Sequence, residues 1–431
     1  MTKDRIFILE FVTGGGFNQV EIPDSLFAEG YGMLRSVIED FKDLDFEIET
    51  IIDFRLTLLS KYLKADFINV IQKSDNFFKK FKDCVKKNKF CFIIAPEFSN
   101  ILYKLTKIAF DNNKTVLSVN LSGIKLGSSK LKTYYFFQEN KINTPTTFLI
   151  PYKQDNFDIN FIIKKFRQFN TPIIIKPEDG VGAEDIYYFN AEKKILELFS
   201  KKSHLIDQSR TYILQKYVQG KDLSVSLIGH KNPPMIISIN TQDVDIKNLG
   251  KESHYFGGYT PVENWVDLKI NLEKYIEKFK QFDGYFGLDF IQQENGRLNF
   301  IEINPRLTTS YIGIRNIIKE NLMSVLLNIR ENKFDLDEIP LQYFSKFGHL
   351  TLKYKGKVPY EEINKKIIPQ ILKDVPEIVT PPIKLKIIQQ DCYSCFIATK
   401  TKDPLASNIR IKRILQILKE KDFIVKSSKL I

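Results

Sequence analysis

Two spacings of apolar residues alternate along the first part of the chain. Short unbroken runs at Arg5–Val12 (RIFILEFV), Glu49–Phe54 and Phe90–Ala95 (FCFIIA) have the length and content of buried strands. Helical spacing separates them. Ser25–Phe41 carries Leu26, Phe27, Gly30, Met33, Leu34, Val37, Ile38 and Phe41 on one stripe, Asn76–Lys87 is basic and amphipathic, and Asn100–Asp111 follows. Strands alternating with helices predict a parallel, doubly wound α/β sheet.

A new unit is expected to begin near Thr115–Val119, where the pattern changes. After a helix at Ser129–Glu139, strands are expected at Thr171–Pro177, Asp185–Phe189, Thr211–Tyr217, Leu223–Gly229 and Met235–Ile239, with helices at Ala191–Phe199 and Asn271–Phe282. Gly287–Gln293 and Arg297–Ile303 form the plainest hairpin, followed by a mostly helical Ser310–Asn328. The tail holds strands at Leu350–Tyr354, Lys384–Gln389 and Cys395–Lys400, then a helix at Asn408–Lys419. This succession is α+β. With no repeat and no low-complexity linker, units 1–115, 116–335 and 336–431 should pack closely.

Composition narrows the class. Of 431 residues, 43% are hydrophobic and 27% charged, the balance of a globular protein of about three domains. No apolar stretch reaches the ~18 residues of a membrane helix, and the opening MTKDRIFILEFV lacks a signal-peptide pattern. Four cysteines are too few for a disulfide scaffold, so a cytoplasmic protein is expected. The net charge of +12 is mostly lysine spread along the chain, without a basic stripe interleaved with aromatics, so neither nucleic acid nor membrane is an expected partner. A nucleotide or an acidic metabolite suits the charge equally well.

The hairpin GLDFIQQENGRLNFIEINPR (287–306) carries the strongest chemical signal. Asn295-Gly296 predicts a two-residue type I′ turn, and counting back from it places Asp289 opposite Glu302, with Asn304 on the same face. Like charges placed opposite one another destabilise a bare sheet, which argues for a cation between them. The hard oxygen donors fit Mg²⁺, with Mn²⁺ as a substitute, bridging nucleotide phosphates. A solvated surface hairpin is the bland reading, but Phe290, Phe300, Ile301 and Ile303 make these strands half-buried.

Two further segments have weaker signals. In TPIIIKPEDGVGAEDIYYF (171–189) a strand delivers Lys176 to a loop with Gly180 and Gly182, a pattern that lets backbone N–H groups and a point charge meet phosphates. It is not a Walker A loop. In YILQKYVQGKDLSVSLI (212–228) a strand, a turn and a second strand offer backbone groups to an adenine edge, with Asp222 placed for a ribose hydroxyl. Gly14-Gly15-Gly16 matches no dinucleotide fingerprint. The lone CYSC at Cys392 and Cys395 lacks a second pair or a nearby His, so it reads as core, and Trp265 reads as a packing residue. His204, His230, His254 and His349 are isolated, and His254 in HYFGGYTPV reads as strand and turn.

In order and spacing these segments resemble the ATP-grasp superfamily. The resemblance implies Lys130 as first phosphate lysine, Lys176 with Gly180 and Gly182 as second lysine and grasping loop, and Gln215, Lys216, Tyr217 and Val218 as the hinge. It also implies Asp289, Glu302 and Asn304 as metal ligands, with Arg306 beside them. The fold it implies is α/β and α+β: a Rossmann-like front domain, an ATP-grasp domain of two α+β subdomains holding ATP, and here a small C-terminal extension. The hinge commonly carries a glutamate where this chain has Lys216, and Asp222 is its expected substitute. ILEFVTGGG, SLFAEGYGMLRSVIEDF, EINPRLTTSYIGI and the tail DVPEIVTPPIKLKIIQQDCYSCFIAT are similar to the family that includes tyramine–L-glutamate ligase of methanofuran biosynthesis.

The expected activity is therefore ATP-dependent joining of a carboxylate, L-glutamate by resemblance, to an amine through an acyl phosphate. Lys176 would hold the phosphates, Arg306 would stabilise the oxyanion, and Glu10, Glu29, Thr308, Thr309 and Ser310 would line the substrate side. A small-molecule kinase and a non-catalytic ATP-binding regulator are the alternatives. The tail is left three roles: completing the site, covering a sheet edge, or making a homodimer contact.

Overall fold

The computed structural model describes residues 3–153, 156–182, 185–201, 206–230, 232–246, 253–331, 333, 339–384 and 392–430. Its first layer is a parallel sheet in the order Phe67–Ile71, Glu47–Asp53, Arg5–Glu10, Phe90–Ile94, Thr115–Val116. Ile6 to Leu9 are fully buried, as a strand covered on both faces requires. The edge strand Phe67–Ile71 escapes the sequence pattern because it is only half-buried, with Phe67 left at the surface. Thr115–Val116 pairs with Phe90 and Cys91, so the segment expected to open the second unit is the far edge of the first sheet.

Two antiparallel sheets follow. One runs Tyr187–Phe189, Ile173–Pro177, Tyr212–Lys216, Thr147–Leu149, backed by the helices Ile159–Phe169 and Glu192–Lys201. The other runs Asn232–Thr241, Lys221–His230, Gly284–Gln292, Leu298–Asn304, and buries Phe286, Leu288 and Phe300 against Phe279 and Phe282. The expected helix Asn271–Phe282 begins earlier, at Trp265–Ile276, and its last turn is the 3₁₀ stretch Glu277–Phe279.

The tail is not a detached unit. Its strands Ser345–Tyr354, Cys392–Ala398 and Ile378–Ile383 form a sheet whose edge is Gly257–Thr260, and Phe423–Ser427 also pairs with Ser345–Tyr354. Of the expected strand Lys384–Gln389, residues 385–389 lie outside the described residues, as does His204 and the side chain of His254. Cys395 is fully buried, as its core reading requires, whereas Cys392 is only half-buried, and the half-buried His349 bonds Ser394.

The helix Asp24–Lys42 is the keystone. Phe27, Ala28, Tyr31, Leu34, Val37, Ile38 and Phe41 are fully buried, more than a single apolar stripe would need. One side covers the parallel sheet; the other meets the tail, where Thr380 Oγ1 donates to Ala28 O at 2.6 Å and Arg35 reaches Ile378 and Val379 carbonyls. Asp40 on this helix ties down Arg315 at 2.6 Å and accepts from Tyr311, both on the helix Tyr311–Ile317.

Candidate functional site

The three main layers leave a cavity of about 260 Å³ between them. Its wall takes residues from the carboxyl end of the parallel sheet, the Asp24–Lys42 helix, the loop at Val181–Gly182, the strand end Gln215–Val218 and the hairpin 284–304. The carboxyl ends of parallel strands are where such folds place their sites.

The hairpin brings Asp289 opposite Glu302, as the sequence predicts, but by a different route. Among Asn295 and Gly296 only Gly296 has a positive φ, +79°, so the turn is not type I′. The loop spans 293–297, closed by Gln293 N–H to Arg297 O, and pairing beyond it runs Gln292 with Leu298 and Phe290 with Phe300. Ile301 is then an extra residue, a bulge, which restores the Asp289–Glu302 pair. It also turns Ile301 and Glu302 together toward the cavity, which both of them line.

The carboxylates are wired unequally. Asp289 accepts from Asn304 Nδ2 at 2.9 Å and from Gln242 Nε2 at 2.9 Å. Burial, and then the neighbouring Glu302 charge, raises Asp289 to about 7. Burial pushes Glu302 the same way, but the ammonium groups of Lys130 (3.5 Å) and Lys176 (3.8 Å) outweigh it and hold Glu302 below the usual range. Burial lowers Lys176 to about 8.

These residues fit a hard divalent cation. Two facing carboxylates, one strained by the charge of the other, together with an adjacent amide supply oxygen donors and gain from a cation between them. Among the described residues no cluster of three or more His, Cys, Asp or Glu stands ready to hold a metal alone. Further ligands would therefore come from a bound phosphate or water.

Most of the expected site residues line this cavity: Lys176, Gly182, Gln215, Lys216, Tyr217, Val218, Asp222, Asp289, Glu302, Asn304 and Arg306. Lys130 and Gly180 sit just behind the wall, where the Lys130 ammonium donates to Gly180 O while approaching Glu302. Ser129 caps the helix Lys130–Glu139, so Lys130 stands at a helix N-terminus, an end that favours anions. Gln215 is held by Thr147 Oγ1 at 2.9 Å, and Asp222 is raised by burial.

The Gly14-Gly15-Gly16 loop serves packing. Gly15 has φ +88°, and a Cβ there would lie 2.0 Å from Ile71. Gln242, Glu97 and Tyr255 were not visible in the sequence as site residues. Gln242 follows a strand two places removed from the hairpin, and no local pattern reports that neighbourhood. Glu97 pairs with Arg306 Nε at 2.9 Å and outweighs the effect of burial on that guanidinium, which is raised. Its position just past the buried strand Phe90–Ile94 was the available signal.

Residues 127–310 match the ATP-grasp domain family and residues 50–124 the pre ATP-grasp 3 domain family. The chain thus carries an ATP-grasp domain preceded by a pre ATP-grasp domain, and it has the ATP-grasp fold. It is similar to tyramine–L-glutamate ligase of Methanocaldococcus jannaschii, 26% identical over 78% of this chain and 96% of the relative. The corresponding protein of Methanocaldococcus fervens is 27% identical over 82% and 98%. In solved structures, L-amino acid ligase from Bacillus licheniformis matches with a TM-score of 0.64 at 12% identity, over 99% of each chain, a likeness of fold.

Proposed function

We propose that the protein is an ATP-dependent carboxylate–amine ligase that activates a carboxylate, L-glutamate in the first instance, as an acyl phosphate for attack by an amine such as tyramine. The observation that carries this reading is the convergence on one cavity of facing acids, Lys176 with Lys130 just behind it, and the half-buried Arg306. Similarity to two tyramine–L-glutamate ligases over most of the chain supports the substrate pair and a place in methanofuran biosynthesis.

In this reading Lys176 and Lys130 hold the transferring phosphate, and backbone N–H groups at Gly180 and Gly182 close over it. Gln215–Val218 and Ile301 enclose the base, with Asp222 toward the ribose. Asp289, Glu302 and Asn304 would hold Mg²⁺, which when bound neutralises phosphate charge. The substrate carboxylate attacks the γ-phosphorus and displaces ADP. Arg306, fixed by Glu97, faces the charge that develops on the carbonyl oxygen when the amine adds. The domains 1–115, 116–335 and 336–431 are the proposed units, with the last supporting the helix Asp24–Lys42 from behind; no described residue after Ser310 lines the cavity. No helix among the described residues is long and apolar enough to cross a membrane, and we place the enzyme in the cytoplasm.

The test is ADP release from Mg²⁺-ATP with L-glutamate and a panel of amines including tyramine, with mass spectrometry of the product. Amide formed 1:1 with ADP, dependent on both substrates, is the expected result. A stable phosphorylated product would replace this reading with a kinase, and ATP binding without turnover on any amine would replace it with a regulator.

A further inference from the structure

An amine that attacks an acyl phosphate must first lose the proton it carries at neutral pH, so a ligase needs a proton acceptor at the acceptor end of its cavity. Three carboxylates stand at that end, and two are committed. Glu10 uses both oxygens on Val12 N–H, Thr13 N–H and Thr13 Oγ1, at 3.0, 2.8 and 2.7 Å. Glu97 lies against Arg306 and is not on the cavity wall.

Glu29 differs from both. It projects from the keystone helix into the cavity, beside Thr308, Thr309, Ser310 and Arg306. Its Oε2 accepts from Thr309 Oγ1 at 2.6 Å, which fixes the carboxylate plane, while Oε1 takes no hydrogen bond among the described residues. Arg306 and the Tyr255 phenol are each within electrostatic reach of both Glu29 and Asp289, so Glu29 borders the reacting centre.

We propose that Glu29 is the general base of the ligase, taking the proton from the acceptor ammonium through its free oxygen while Thr309 holds the other. The inference rests on the ligase reading given above. The step balances: the ammonium gives one proton to Glu29, the amine nitrogen forms the C–N bond, and the C–O bond to phosphate breaks with its electron pair leaving on phosphate. The second nitrogen proton follows to that phosphate. Burial raises the Glu29 carboxyl to about 7, a value suited to exchanging a proton near neutrality.

The test compares wild type with Glu29→Gln, which keeps an oxygen for Thr309, using L-glutamate, Mg²⁺-ATP and two nucleophiles. Tyramine must be deprotonated; hydroxylamine is already neutral at pH 7. The expected result is that the ratio of tyramide to hydroxamate formed falls by at least tenfold in Glu29→Gln, and recovers as pH rises toward 9.5. Equal loss with both nucleophiles, or a raised KM for glutamate that accounts for the loss, would make Glu29 a substrate anchor and overturn the proposal. An unchanged ratio would overturn it as well. Wild type that forms both products, with a ratio unchanged in Glu29→Gln, leaves the ligase reading standing without the proposal; wild type that forms neither product removes that reading and the proposal with it.

Discussion

Asp289 and Glu302 show how one pair of identical chemical groups acquires two characters from its surroundings. Glu302 faces two ammonium groups that hold it low, whereas burial and the Glu302 charge raise Asp289 to about 7 against the pull of its two amide donors. Removing either charge should leave the fold intact, because each replacement amide still finds polar partners. Asp289→Asn and Glu302→Gln are each expected to lower ADP formation at least 100-fold at saturating Mg²⁺, with an unchanged circular dichroism spectrum. Near wild-type turnover in either would remove the metal assignment. Glu29 gives a pH effect of known sign. Its folded value, about 7, lies above the ordinary 4.5, so between the two the folded state holds the extra proton and loses stability as pH rises. Urea denaturation of Glu29→Gln should therefore show a gain over wild type at pH 8 relative to pH 5, on the order of 1 kcal/mol.

At the scale of elements, the hairpin was legible and its details were not. Alternation in GLDFIQQENGRLNFIEIN fixes which residues of each strand share a face, but the Asp289–Glu302 pair depends on the exact closure, since a shift of one residue puts a different side chain opposite Asp289. The type I′ expectation was wrong by one residue and the unforeseen bulge at Ile301 offset it; a bulge has no pattern to announce it. Half-buried edges such as Phe67–Ile71 were missed because their alternation is weak. The helix Asp24–Lys42 was predicted nearly residue for residue, yet its second buried side was not, since that depends on a tail more than 300 residues away. Asp40 is the test of this joint. Asp40→Ala leaves the half-buried Arg315 with Glu39, at 3.4 Å, as its remaining carboxylate partner, at a cost of about 2 kcal/mol. Thermal melts should show the loss, and because the same helix carries Glu29, the KM for substrate should rise with it.

Across the whole molecule, the parallel front sheet was readable from strands alternating with helices, and most strands of the antiparallel layers from their apolar runs, whereas their division into two subdomains came from the family resemblance and the edge strand Thr147–Leu149 was not foreseen. How the layers share a cavity was not readable, because Gln242 and Tyr255 line it, and Glu97 stands behind Arg306, from elements that no local pattern links. The tail completes a sheet with Gly257–Thr260 and covers the keystone helix, so its removal should be structural in effect. A chain ending at 340 is expected to be insoluble, as judged by the soluble fraction on expression; a soluble, active fragment would show that the front helix holds without it. An acyl phosphate on the way to the amide leaves an isotopic trace when L-glutamate labelled with ¹⁸O in its carboxylates is turned over with ATP and the accepted amine. One ¹⁸O in each phosphate released is the expected result. Phosphate free of label would contradict it.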